Sequence, residues 1–137
     1  EHGKGALEQI KLFTKLGIKL NRVTLSHTDK ENDHGYHREL LSSGINVEYD
    51  QSLRQFNGEQ PESALLTIAM IEAGYLNQIM LGTDGARRSL WSALGGKPGL
   101  SWLYSGWGKK LKELGATEEQ VERLFITNPA EVLSFSS

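Results

Sequence analysis

The 137-residue chain has no cysteine, only 3 prolines and 8% aromatic residues, and its charges nearly cancel at a net −2. Without cysteine there are no disulfide staples and no thiolate metal sites, so any metal must be held by histidine and carboxylate. A pI near 6.1 offers no basic field for a phosphate backbone. No apolar run approaches the roughly 20 residues that span a bilayer, so nucleic-acid and integral-membrane roles find no support. The missing cysteines agree with a reducing compartment, and a cytoplasmic location is expected. Length and composition allow at most one soluble globular domain.

The chain is richer in glycine, with 15 residues, and several of these punctuate a regular alternation. Leu7, Ile10, Phe13 and Leu16 recur every three residues before Gly17, which predicts an amphipathic helix over 6–16. A short strand over 22–25 follows, with Val23 and Leu25 as its apolar members. Residues 34–43 suit a helix stopped by Gly44, and Ile45 to Tyr49 alternate with period two. Pro61 suits the first turn of a helix over 63–73 that is stopped by Gly74, and residues 78–81 form a third apolar strand. A glycine- and aromatic-rich stretch over 82–108 leads to a helix over 109–114. Thr117-Glu118-Glu119-Gln120 is a capping box that opens a helix to about residue 126, and Asn128-Pro129 begins a last short one. Helix alternating with strand implies parallel strands joined by right-handed crossovers, which both an open doubly wound sheet and a barrel sector satisfy.

Ligands gather at the carboxyl ends of strands in either architecture. The three ends read Thr24-Leu25-Ser26-His27, Val47-Glu48-Tyr49-Asp50 and Leu81-Gly82-Thr83-Asp84. Each closes on a group able to bind a metal or move a proton, although polar residues also mark the start of any loop. Imidazole and carboxylate together suit a borderline divalent ion such as zinc, but one histidine and one aspartate do not fill its coordination shell.

Gly5-Ala6-Leu7-Glu8-Gln9, Leu25-Ser26-His27-Thr28-Asp29, Leu81-Gly82-Thr83-Asp84 and Ile126-Thr127-Asn128-Pro129-Ala130, in that order, resemble the C-terminal part of the phosphotriesterase-like family of the amidohydrolase superfamily. The resemblance covers essentially the whole chain and implies an α/β fold, the C-terminal portion of a (β/α)8 TIM barrel with three parallel strands (six, seven and eight) and flanking helices. It implies two divalent metal ions, with zinc as the expected metal. His27 would bind the more exposed ion. Asp84 would bind the buried one and take a proton as a metal-bound hydroxide attacks. Asp50 would face substrate at the end of strand seven. The family's strand-one histidine pair, its strand-four bridging lysine or glutamate and its strand-five histidine have no counterpart here, and His2 does not align with the last of these. The opening Glu1-His2-Gly3-Lys4-Gly5 is neither a signal nor a transit peptide. Residues 1–137 are therefore expected to be a single C-terminal segment of a longer hydrolase barrel, inactive alone, whose intact form is a homo-oligomer.

For substrate, Arg87 and Arg88 follow Asp84, with Arg54 and Lys97 on other loops, and guanidinium groups match phosphate geometry. The Asp84-Gly85-Ala86-Arg87-Arg88-Ser89 segment resembles that of hydrolases of phosphorylated sugar lactones. A small lactone or ester, phosphorylated in the favoured case, is the expected partner. An organophosphate triesterase and a non-catalytic module binding a phosphorylated metabolite are the alternatives, and Arg87 and Arg88 can also be read as solvated helix-start charges. His34 and His37, three apart on a helix, are expected at the surface. Trp91, Trp102, Tyr104 and Trp107 suit either a pocket or packing of a long loop on the barrel rim. Lys109 to Glu113 reads as a solvated helix face.

Overall fold

The computed structural model describes residues 5–135; His2 lies outside them. Helix α1 (Gly5–Lys15) precedes strand β1 (Thr24–Ser26), α2 (His34–Ser42), β2 (Asn46–Tyr49), α3 (Glu62–Glu72) and β3 (Ile79–Leu81). Helices α4 (Gly108–Glu113), α5 (Glu118–Glu122) and α6 (Asn128–Leu133) complete the order. The strands form one parallel sheet in the order β1-β2-β3, with Leu25 opposite Val47 and Val47 opposite Ile79.

That register sorts the side chains, because alternate residues of a strand point to opposite faces. Leu25, Val47, Tyr49 and Ile79 face the helices and join Leu40, Leu41, Leu66, Met70, Leu111 and Leu124 in the apolar core. Ser26, Glu48 and Met80 share the opposite face. The glycine stops are where periodicity puts them: Gly17, Gly44, Gly74 and Gly115 all have positive φ, which a residue without Cβ adopts at little cost.

Three carboxamides brace the amino-terminal side of the sheet. Asn46 Nδ2 donates to Asn21 O at 2.9 Å, and Gln78 Nε2 donates to Leu41 O and Ile45 O, both at 2.7 Å. Asn128 Nδ2 donates to Leu76 O and Ile79 O, both at 2.7 Å. Each amide satisfies carbonyls beside the strand starts that the ladder does not use.

Two expectations are corrected. The capping box of Thr117 and Gln120 is present, but the following helix does not stop near residue 126. A π-helical turn over Arg123–Thr127 carries it directly into α6, whose second residue is Pro129. His37 is not a surface histidine: it is fully buried, because it shares a stripe of α2 with Leu40 and Leu41. Its Nε2 donates to Glu31 O at 2.8 Å, a carbonyl that can only accept, so Nδ1 accepts from Tyr49 Oη at 2.9 Å. Among the aromatic residues, Trp107 is buried in the core and Trp102 meets Phe56 edge-on, whereas Tyr104 and Trp91 remain exposed.

Asn128→Ala is expected to lower the unfolding free energy by about 1–3 kcal/mol, since the buried Ile79 carbonyl loses the amide that donates to it and Leu76 O keeps only the Ile79 N–H; a urea titration with an unchanged midpoint would contradict this. Burial pushes His37 below its ordinary 6.5 against the opposing pull of the Glu31 carbonyl and the Asp29 charge. The unfolded chain therefore takes up the proton first. This contribution is whole above about pH 6.5 and is lost as pH falls from there toward the lowered folded value. Urea midpoints should drop between about pH 7.5 and 5.5, and less so in His37→Gln; equal drops would locate the effect elsewhere.

Candidate metal and anion site

The carboxyl ends of the three strands converge. His27 follows β1 directly and turns the chain with φ 63, and Asp84, three residues past β3, has φ 37. Both lie in the left-handed region that side chains with a Cβ avoid unless their surroundings hold them there. Asp50 follows β2, is 2% exposed, and accepts from the His27 backbone N at 3.1 Å through Oδ2 and from Gln51 Nε2 at 2.7 Å through Oδ1. His27 Nδ1 lies 2.6 Å from Asp50 Oδ2 and 3.9 Å from Asp84 Oδ2. It is buried without an aligned hydrogen bond. One imidazole nitrogen and two carboxylate oxygens thus fall within 4.8 Å of one another, a donor set that fits a borderline divalent ion.

Cations stand around the same carboxylates. Arg54 NH1 is 2.6 Å and Lys30 Nζ 3.7 Å from Asp84 Oδ2. Burial pushes the Asp84 carboxyl up, but Arg54, and after it His27 and Lys30, outweigh that and hold it below its ordinary range. Asp50 moves the other way: burial and then the Asp29 charge raise it, against the Gln51 hydrogen bond and His27. Neighbouring strand ends thus carry carboxyl groups of unlike proton affinity.

An open cavity of about 380 Å³ adjoins the site, lined by Lys30, Arg54 and Arg87 together with Asp29, Gln51 and Glu62. Of the residues expected to meet substrate, Arg54 and Arg87 line this cavity. Arg88 does not; it begins an exposed helical turn over Arg88–Leu90. Asp50, expected to face substrate, has both oxygens engaged with His27 and Gln51. The sequence reading assigned no role to Lys30, Gln51 or Asp29. The lysine was visible three residues past His27, but its direction is set by the packing of two loops.

The inner face below the site is also polar. Ser26 Oγ donates to Glu48 Oε2 at 2.7 Å, and the Glu48 carboxylate lies where a Cβ on Gly82 would stand, with Asp50 Cβ 3.1 Å from the same point. Only a glycine leaves the carboxylate there.

The model of the phosphotriesterase family matches residues 1–133. A phosphotriesterase homology protein of Escherichia coli (strain K12) is 27% identical over 125 residues, which cover 91% of this chain and 42% of that protein. A phospho-furanose lactonase of Mycoplasmopsis synoviae (strain 53) is 26% identical over 141 residues, covering 97% and 39%. Among solved structures, a lactonase from Listeria monocytogenes superposes with TM-score 0.87 at 25% identity over 96% of this chain and 42% of that one. The Escherichia coli homology protein, solved with phosphate in its active site, gives 0.85 at 27% over 95% and 44%. The chain therefore spans well under half the length of the relatives it matches. These neighbours are TIM barrels, and the three parallel strands with their helices are a sector of one.

Gly82→Ala should displace Glu48, break its bond to Ser26 and cost about 1 kcal/mol of stability. An unshifted urea midpoint would mean that Glu48 swings aside freely.

Proposed function

Because the chain belongs to the phosphotriesterase family, we propose that it is the C-terminal segment of a longer metal-dependent hydrolase barrel that opens a phosphorylated sugar lactone. The observation that carries this reading is the adjacency of two chemistries. His27, Asp50 and Asp84 converge within 4.8 Å, beside a cavity walled by Lys30, Arg54 and Arg87. The family is metal-dependent and includes lactonases, and a phosphate ion in the active site of the Escherichia coli homologue agrees with an oxyanion at this end of the sheet.

In this reading two divalent ions, zinc in the first instance, would be held with His27 as a ligand of the more exposed one and Asp84 of the buried one, and the remaining ligands come from the rest of the barrel. When bound, such an ion supplies Lewis acidity at the scissile carbonyl and makes water acidic enough to attack at neutral pH. Asp50, packed against the His27 amide and imidazole, fixes that ring. Asp84, kept ionised by Arg54 and Lys30, would take the proton of the attacking water oxygen and return it to the ester oxygen as the C–O bond breaks. Arg54 and Arg87 bind the phosphate through charge-assisted, fork-shaped contacts while Lys30 adds a point charge. A phosphate anchored there orients the lactone ring toward the metal.

In the intact protein, Asp84→Asn is expected to lower lactone hydrolysis by about 100-fold or more, read as kcat with a chromogenic pH indicator; an unchanged rate would remove the proton-acceptor role. Removing the phosphate from the lactone should lower kcat/KM by about tenfold or more, and Arg54→Met should erase most of that difference. Equal efficiency on both lactones would remove the anchor, and faster turnover of a neutral phosphotriester would replace the lactonase reading by a triesterase one.

A further inference from the structure

We propose that Asp29 is a positioning residue: it sets the separation of the His27 and Asp50 turns, and hence the placement of the His27 ring that Asp50 orients and the geometry in which His27 and Asp84 receive divalent metal. The proposal rests on the metal-dependent reading above. It concerns a residue outside both the His27, Asp50 and Asp84 group and the apolar core.

Asp29 lies two residues past His27, in a single helical turn over Thr28–Lys30, and is 4% exposed. Its Oδ2 accepts two hydrogen bonds, from the backbone N of Gln51 at 3.0 Å and from Ser63 Oγ at 2.5 Å. Gln51 is the residue after Asp50, and Ser63 lies in the first turn of α3. One carboxylate oxygen therefore ties together the turn that follows β1, the turn that follows β2 and the start of the next helix.

The need for such a tie follows from the sheet. The paired register of β1 and β2 ends at Ser26 opposite Glu48, short of both His27 and Asp50. Past that point the two turns meet through the Asp50 carboxylate on the His27 amide, a bond made by one of the groups that has to be placed. Asp29 acts instead on the backbone, gripping the amide next to Asp50. His27 also holds φ 63, a conformation that a residue with a Cβ avoids and that persists where its surroundings enforce it. The Asp29 bonds begin two residues downstream and supply that enforcement.

A carboxylate is the group suited to the task. Both partners are donors, an amide N–H and a hydroxyl, and an ionised acceptor binds donors about twice as strongly as a neutral one. The charge also lies at the amino-terminal end of α3, where the helix dipole favours an anion. The other oxygen, Oδ1, is buried with no hydrogen-bond partner. Such an arrangement is costly for a group that merely fills space.

The test compares Asp29→Asn, Ser63→Ala and wild type in the intact protein, stripped of metal and titrated with Co²⁺. Dissociation constant and visible absorption spectrum are read well below the melting temperature of each. Asp29→Asn should bind Co²⁺ about tenfold more weakly with an altered spectrum. Ser63→Ala, which releases α3 but leaves the grip on Gln51, should melt earlier yet bind within about twofold of wild type and keep its spectrum. An Asp29→Asn protein with wild-type affinity and spectrum overturns the proposal, as does a Ser63→Ala protein weakened as much as Asp29→Asn. If Asp29→Asn does not fold, Asp29→Glu, which keeps the acceptors on a longer arm, gives the same readout: a shifted spectrum supports the role and an unchanged one overturns it. A wild-type protein that takes up no Co²⁺ overturns the metal-dependent reading and this proposal with it. Uptake without lactone hydrolysis overturns the lactonase reading alone.

Discussion

The upper end of the sheet is organised by the packing of His27 against Asp50. Two strands of three and four residues are too short to hold the turns that follow them by ladder bonds alone. The join is completed by side chains: Asp50 on the amide and ring of His27, and Gln51 on Asp50. A carboxylate committed in this way cannot reach outward, so the free charges of the site belong to Asp84 and to the cations around it. The opposite shifts of Asp50 and Asp84 follow from the same arrangement. Asp50 is surrounded by burial and a like charge, while Asp84 has Arg54 and Lys30 within 3.7 Å.

The two ends of the sheet are built from different chemistry. At the amino-terminal end neutral carboxamides of Asn46, Gln78 and Asn128 bridge backbone carbonyls. These bonds are insensitive to pH and lock loops to strands. At the carboxyl-terminal end the acceptors are carboxyl groups, met by backbone amides, a carboxamide and a hydroxyl at Asp50 and Asp29 and by the cations Arg54 and Lys30 at Asp84. Neutral bracing and titratable groups are thereby separated along the strand direction.

Much of this was legible beforehand because it depends on local rules. Four glycines closed helices because only a left-handed residue ends them that way, and the strands could be counted from short apolar runs between them. The positions of His27, Asp50 and Asp84 at strand ends followed from that count. What escaped reading is partly a helix face and a turn type within one segment, and partly contact between segments far apart in the chain. His37 looked polar and exposed until Leu40 and Leu41 were seen to share its stripe. Asn128-Pro129 looked like a fresh helix start, although a π turn lets the preceding helix run through. Neither Asp29 nor Lys30 announces its direction in sequence, since each is aimed by the meeting of loops that lie more than 20 residues apart.

The brevity of the strands has a further bearing. Among the described residues β1 and β3 each have one neighbour in the sheet, so each presents one backbone edge to its surroundings. An edge three residues long can offer an incoming strand only a couple of hydrogen bonds, too few to template an extended stack of copies. The same edges, approached from both sides by the ends of one curved sheet, would be satisfied together, so these strands are suited to closing a ring and poorly suited to growing a fibre.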